Sequence, residues 1–462
     1  MTSLFIFTRD LRLEDNTGLI QALKNSENVI PVFIFDANQI TDKNSYKSNN
    51  CIQFMIESLN ELDKNLQEKG SRLFYFYGTN YETTVKKIIK NSNKYEIKSI
   101  YISMDYTPFA KLRQKTLENI CKKEELELFI IEDHMLTGFD KVTKADGSYY
   151  VKFTPYYNVA KKVEINSPKS NKYKNYVKSS YKITGEFDKD INNFYEENNN
   201  VLVRGGRSNA LKILKKISKF QKYNIEREIP SHLGTTRLSA YIKFNVVSIR
   251  EVYKYFVKYL TNTNKLLTQL YWRDFYMQIM NNFDVIKTPM NKNLDIKWEN
   301  NATFIKKWKE GRTGIPIIDA AMNEMNTCGW MHNRCRMIVA NFLVKILRCD
   351  WMIGEKYFAQ KLIDYDVANN NGGWQWNSST GTDSQPFFRV FNPWRQAEKF
   401  DSNCEYIKKW VPELKDIPNK DILNWNETWQ NYKNIEYPKP IIENIQEEFK
   451  KTLQLYKKYH TK

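Results

Sequence analysis

Five short apolar runs punctuate the first third of the chain, at 4–8 (LFIFT), 29–35 (VIPVFIF), 73–77 (LFYFY), 100–103 (IYIS) and 126–131. Each has the length of a strand and few polar positions, the pattern of a strand covered on both faces. Between them, residues 50–68 (NCIQFMIESLNELDKNLQE) and 110–123 repeat their apolar positions at helical spacing. Strands alternating with helices predict βαβ units and a parallel sheet. No GxGxxG or GxxxxGK(S/T) follows any of these strands, so neither a dinucleotide fingerprint nor a P-loop is supported.

The pattern then fades. Residues 133–200 contain polar stretches such as 167–182 (SPKSNKYKNYVKSSYK) and 188–200 (DKDINNFYEENNN), which read as a long linker. From 201 onward the period is helical, with apolar spacing of three and four at 207–220, 249–260, 265–280, 317–325, 334–348 and 355–364. The expected organisation is an α/β domain over 1–132, a linker over 133–200 and a larger all-α domain over 201–462, without an internal repeat.

Charge adds a class of partner. The net charge of +18 suits a polyanion, nucleic acid first. Lysine and asparagine are abundant throughout, however, so charge alone does not decide the matter. No apolar run is long enough to span a membrane. Asp10, Glu14 and Asp15 come too early for a secretory or transit segment, which predicts an intracellular protein, cytoplasmic or nuclear. Six cysteines without a CxxC pair and only four histidines point to free thiols rather than a metal site. All eleven tryptophans lie from Trp272 onward, so the two halves have different tasks.

Four stretches of the helical half carry chemistry. In GTTRLSAYI (234–242), Thr235, Thr236 and Ser239 surround Arg237 where a helix is expected to start, a possible phosphate seat. The second is QLYWRDFY (269–276) and the third GWMHNRCRM (329–337). The fourth, DYDVANNNGGWQW (364–376), runs into STGTDSQPFFRVFNPWRQAEKFD (379–401). Three asparagines and two glycines before WQW do not read as a helix core. They suggest positive φ and close backbone approach to a flat ligand, with Trp374 and Trp376 facing different partners.

From FTRDLRLEDN (7–16) to FNPWRQAEKFD (391–401) the chain resembles the photolyase/cryptochrome family, most closely its class I cyclobutane pyrimidine dimer photolyases. The resemblance implies a Rossmann-like α/β domain, a linker and a helical domain holding one bent FAD. Tyr223, Thr235, Thr236, Arg237, Leu238 and Ser239 match the segment that grips the FAD phosphates. Arg273, Asn333, Arg336, Asp364, Asp366 and Asn370 match residues around the ribityl chain, adenine and isoalloxazine, with Asn370 beside flavin N5. An amide both donates and accepts, so it tolerates flavin states that differ by a proton. Trp374, Trp351 and Trp298 match an electron-hopping chain running outward from the flavin.

The implied activity is light-driven repair of UV-damaged DNA by a monomer. Reduced FAD donates an electron to a flipped-out cyclobutane dimer, the ring opens and the electron returns. Trp272 and Trp376 then wall the lesion pocket, with Gln269, Asn333 and Met337 at its lining and Arg334 and Arg389 as phosphate contacts. Asn333 and Met337 stand where (6-4) photolyases carry histidines, which argues against that chemistry. Gln269 replaces the glutamate usual in dimer repair, and keeps a (6-4) enzyme or a cryptochrome photoreceptor as alternatives. About 60 residues follow the last motif, with no long polar tail, which weighs against the photoreceptor. A basic nucleic-acid-binding module without chemistry is the plainest rival. The antenna chromophore stays open: Ala110 occupies the position of a folate-binding glutamate, so folate is disfavoured against deazaflavin, a second flavin or none.

Overall fold

The computed structural model describes residues 1–92, 94–261, 264–290 and 296–460. The five apolar runs form strands β1 (Thr2–Phe7), β2 (Asn28–Asp36), β3 (Phe74–Gly78), β4 (Ile97–Ser103) and β5 (Glu127–Ile131). All pair in parallel, in the order β3-β2-β1-β4-β5. The α/β reading of this half therefore stands, with ends shifted by a few residues.

The strand period of two gives the sheet two distinct faces. Leu4, Ile6, Val32 and Ile102 pack with Val85, Ile88, Leu117 and Ile120 of the Tyr81–Asn91 and Pro108–Lys123 helices. Phe5, Phe7, Phe33 and Phe35 belong to a second core, which continues into Phe256, Leu270 and Phe275 of the helical half. Each buried side chain of this size stabilises the fold by roughly 1.5–3 kcal/mol. The two halves thus share one apolar core.

A charge cluster lies at the same junction. Arg12, with its side chain wholly buried, pairs with Asp133 and donates to the carbonyls of Asp15 (2.7 Å) and Asn245 (3.1 Å). Arg250 reaches Asp15 at 3.0 Å and Asp133 at 2.7 Å. Burial raises the Asp133 carboxyl, but Arg12 and Arg250 outweigh it and hold the group below the usual carboxylate range. Much of the RDLRLEDN motif therefore serves the junction between the halves.

Segment 133–200 holds more structure than its composition suggests. Phe153–Ala160 is a helix packed on Lys265–Asn282, and Tyr176 bridges to Val29 beside β2. Polar residues hide this because they bind backbone: Asn175 donates to the Leu23 and Ser26 carbonyls, and Asn171 to that of Leu13. In the second half, the run expected as one helix over 334–348 divides into Asn333–Asn341 and a π-turn, Phe342–Ile346. The 207–220 stretch likewise divides into Arg207–Lys215 and a 3₁₀ turn, Ile217–Phe220.

Candidate cofactor and lesion site

A cavity of about 740 Å³ opens in the helical half. Four helices supply much of its lining: Lys265–Asn282, Asn333–Asn341, Trp351–Lys361 and Val367–Ser378. Each begins on a side-chain cap: Asn264, His332, Asp350 and Asp366 accept a backbone N–H of the first turn. The caps fix where each helix starts, and so which residues face the hollow.

Every residue expected to hold a cofactor lines this one cavity, although they come from five separate stretches of chain. Arg336 Nη2 donates to both Asp364 oxygens at 3.0 Å, and Ser239 Oγ donates to Asp364 Oδ2 at 2.6 Å. Arg273 Nη1 donates to the His134 carbonyl at 2.6 Å. Among the described residues, Arg273 Nη2, Arg237 Nε and Trp374 Nε1 are buried without a hydrogen-bond partner. Such donors are costly unless a ligand takes them up.

One local expectation is corrected. The NNNGGWQW stretch is a regular α-helix, and positive φ falls only after it, at Ser379 (61°). Of its two glycines only Gly372 serves packing, since a Cβ there would overlap the Tyr276 ring, whereas one on Gly373 would meet open space beside the cavity. The 235–239 segment leads into a short helix, Ser239–Lys243, whose first N–H groups carry no side-chain cap. Arg237 sits in the left-handed region (φ 55°), its guanidinium 5.1 Å from the Trp330 ring centroid.

Asn370 Nδ2 donates to the backbone and carboxylate oxygens of Glu355, at 3.1 and 3.0 Å. Glu355 was not legible as a site residue because nothing in its local sequence marks it. Tyr365 Oη donates to it at 3.2 Å, and burial raises its carboxyl above the usual range. Asp366 lines the cavity but is already committed: Arg9 and Tyr106 of the α/β domain bind its Oδ2 at 3.0 and 2.8 Å.

The tryptophans fall into two groups. Trp374 is buried, with Phe358 at 5.0 Å and Trp308 at 6.1 Å between ring centroids. A Cβ on Gly354 would overlap its ring, so the helix opened by Trp351 lies hard against it. Trp351 is buried and Trp298 partly buried, both outside the cavity lining. Trp308, wholly buried and touching Trp374, carries no sequence motif and was missed. Trp272 and Trp376 line the cavity together with Gln269, Asn333 and Met337. One face of Trp272 is covered by Phe153, stacked at 3.6 Å and 8°.

Arg334 and Arg389 do not line the cavity. Arg334 pairs with Glu228 and lies 4.3 Å from the Phe400 ring, so a phosphate has to compete for it. Arg389 is exposed. His332, the histidine of GWMHNR, lies outside the cavity. Burial, then the neighbouring Arg334 and Arg336, pushes it down to about 3, so it stays neutral. Among the described residues no His/Cys/Asp/Glu group is placed to hold a metal ion, and no helix is long and apolar enough to cross a membrane.

A hydroxyl- and arginine-lined end suits a pyrophosphate, an amide–indole end suits a flat heterocycle, and the volume suits a ligand larger than a mononucleotide. Fold and site together define a protein with an α/β half and a helical half whose cavity suits a cofactor that joins a flat ring to a pyrophosphate. The chain belongs to the DNA photolyase family. Residues 3–172 match the DNA photolyase family model and 266–458 the FAD binding domain of DNA photolyase. A deoxyribodipyrimidine photo-lyase of Alkalihalophilus pseudofirmus is 33% identical, covering 98% of this chain and 97% of its own. That of Escherichia coli is 32% identical, covering 96% of each. Among solved structures, an archaeal photolyase from Sulfolobus tokodaii with two FAD molecules is 40% identical. Its TM-score is 0.87, with 99% of this chain and 100% of that one covered. A Synechocystis cryptochrome aligns at 25% identity and a TM-score of 0.89, over 98% and 99%.

Proposed function

We propose that this protein repairs cyclobutane pyrimidine dimers in DNA, using light captured by FAD in the helical cavity. The observation that carries the reading is one hollow lined both by the flavin-matching residues, Asn370 and Trp374 among them, and by the lesion-matching Trp272, Trp376, Gln269, Asn333 and Met337. The bound flavin supplies light-driven one-electron transfer to the lesion. The chain's residues do the rest. Arg237, Arg273, Thr235 and Thr236 bind the cofactor's phosphates and ribityl chain. Asn370, held by Glu355, presents its amide oxygen, and Trp272 and Trp376 offer flat walls to an extruded base pair. Gln269 lines the same hollow with an amide, which hydrogen-bonds thymine edges without lending charge.

The test is illumination of the chemically reduced protein with a thymine-dimer oligonucleotide and, separately, a (6-4) oligonucleotide, with products resolved by chromatography. Repair of the first and not the second is expected. Neutral, cavity-excluded His332 leaves no imidazole acid for the second. Repair of neither overturns the reading in favour of a photoreceptor.

A second flavin is proposed as antenna at the carboxyl end of the sheet. Among the described residues, Thr8 Oγ1, Tyr81 Oη and Arg113 Nε are buried there without partners, after β1, β3 and β4. The Sulfolobus tokodaii relative carries two FAD molecules. Denaturing extraction is expected to release two flavins per chain. One flavin with a folate or deazaflavin would overturn this assignment.

A further inference from the structure

The N-cap of the Val367–Ser378 helix is held from outside its own domain. Asp366 Oδ1 performs the capping, accepting from Asn369 N at 3.0 Å and Asn369 Nδ2 at 2.8 Å. Its other oxygen faces the α/β domain. Arg9 Nη1 donates to Oδ2 at 3.0 Å and Tyr106 Oη at 2.8 Å. Arg9 is itself aimed by Asp105, which accepts from Nη2 at 3.3 Å, and by the Tyr106 ring, 4.7 Å below its guanidinium. Asp366, Asp105 and Tyr106 are buried, and the Arg9 side chain is 13% exposed. One turn on, Asn370 N donates to the Asp366 carbonyl at 2.9 Å, and both residues line the cavity. The other cation facing Asp366 is Arg273, bonded to the His134 carbonyl.

We infer that Arg9 and Tyr106 of the α/β domain are positioning residues for the cofactor site: they fix and neutralise the Asp366 carboxylate, and through its charge set how readily the bound flavin accepts electrons. The inference rests on the proposed flavin reading of the cavity. Its physical basis is the low dielectric of the junction. An anion there without its counter-ion raises the cost of adding electrons to a ring in the same hollow, and water does not screen it. The first of the two residues lies in the FTRDLR motif. The α/β domain thereby acts on the chemistry of the helical domain as well as docking against it.

The experiment is an equilibrium redox titration of bound FAD, followed by absorbance, in wild type, Arg9→Gln, Tyr106→Phe and the double variant Arg9→Gln/Asp366→Asn. At a fixed potential near the wild-type midpoint, Arg9→Gln is expected to lower the ratio of reduced to oxidised flavin on the order of tenfold. Tyr106→Phe shifts it less, in the same direction. The double variant, which removes both charges, returns toward wild type. Merely mechanical support would leave it as displaced as the single variant, and that result overturns the inference. An unchanged ratio in Arg9→Gln also overturns it while sparing the flavin reading; wild-type protein that binds no flavin overturns both. Where Arg9→Gln does not fold, an unchanged ratio in Tyr106→Phe is the overturning result.

Discussion

Replacing Trp374 with phenylalanine is expected to slow light-driven reduction of the bound flavin by about a hundredfold or more, the effect of roughly 3 kcal/mol of added barrier. Phenyl is much harder to oxidise than indole, so the first outward step loses its donor. The packing survives the change. Trp374 is enclosed by Phe358, Trp308 and the Gly354 backbone, and a phenyl ring keeps most of those contacts. The residual void costs about 1–2 kcal/mol of stability. Flavin content is therefore expected to hold, and so is repair by chemically reduced enzyme, which needs no photoreduction. The measurement is the rate of flavin bleaching under blue light with an external reductant. An unchanged rate removes Trp374 from the hopping chain, and Trp308, 6.1 Å away, becomes the next donor to vary.

The second large effect is on lesion binding. Trp272→Ala should weaken affinity for dimer-containing DNA by about tenfold to a hundredfold, since base–aromatic stacking is worth roughly 1–3 kcal/mol per base. Affinity for undamaged DNA should change little, because that binding rests on phosphate contacts. The specificity of the result depends on Phe153. Its ring covers one face of Trp272, so the alanine also loosens the Phe153–Ala160 helix. Flavin absorbance of the purified variant separates the two effects. Retained flavin with lost discrimination assigns Trp272 to the lesion pocket; loss of both would refute the role.

These expectations draw on motifs readable in one dimension, and on contacts that are not. The WQW triplet supplied Trp374 and Trp376, and QLYWRDFY supplied Gln269, Trp272 and Arg273. Phe153 was passed over because no motif marks it and it lies in a stretch without a clear strand or helix period. The lysine- and asparagine-rich stretch that follows it is tied down by side chains bonded to distant backbone, such as Asn171 to Leu13 and Asn175 to Ser26. Composition reports the chemistry of a segment, whereas its order depends on whether those polar groups find partners.

Local periodicity by itself determined the parallel sheet and the helical second half, because strand and helix periods are written over a few consecutive positions, whereas the residues around the cavity came from motifs that resemble the photolyase/cryptochrome family. Packing alone decided how those residues meet. The asparagine–glycine stretch is a helix, and Gly372 lets it lie close to Tyr276. Arg9 met Asp366 across a sequence separation of 357, and Asn370 met Glu355 from the neighbouring helix. Pairings of that kind depend on two surfaces docking through a shared apolar core, a property of the folded whole that no window of sequence contains.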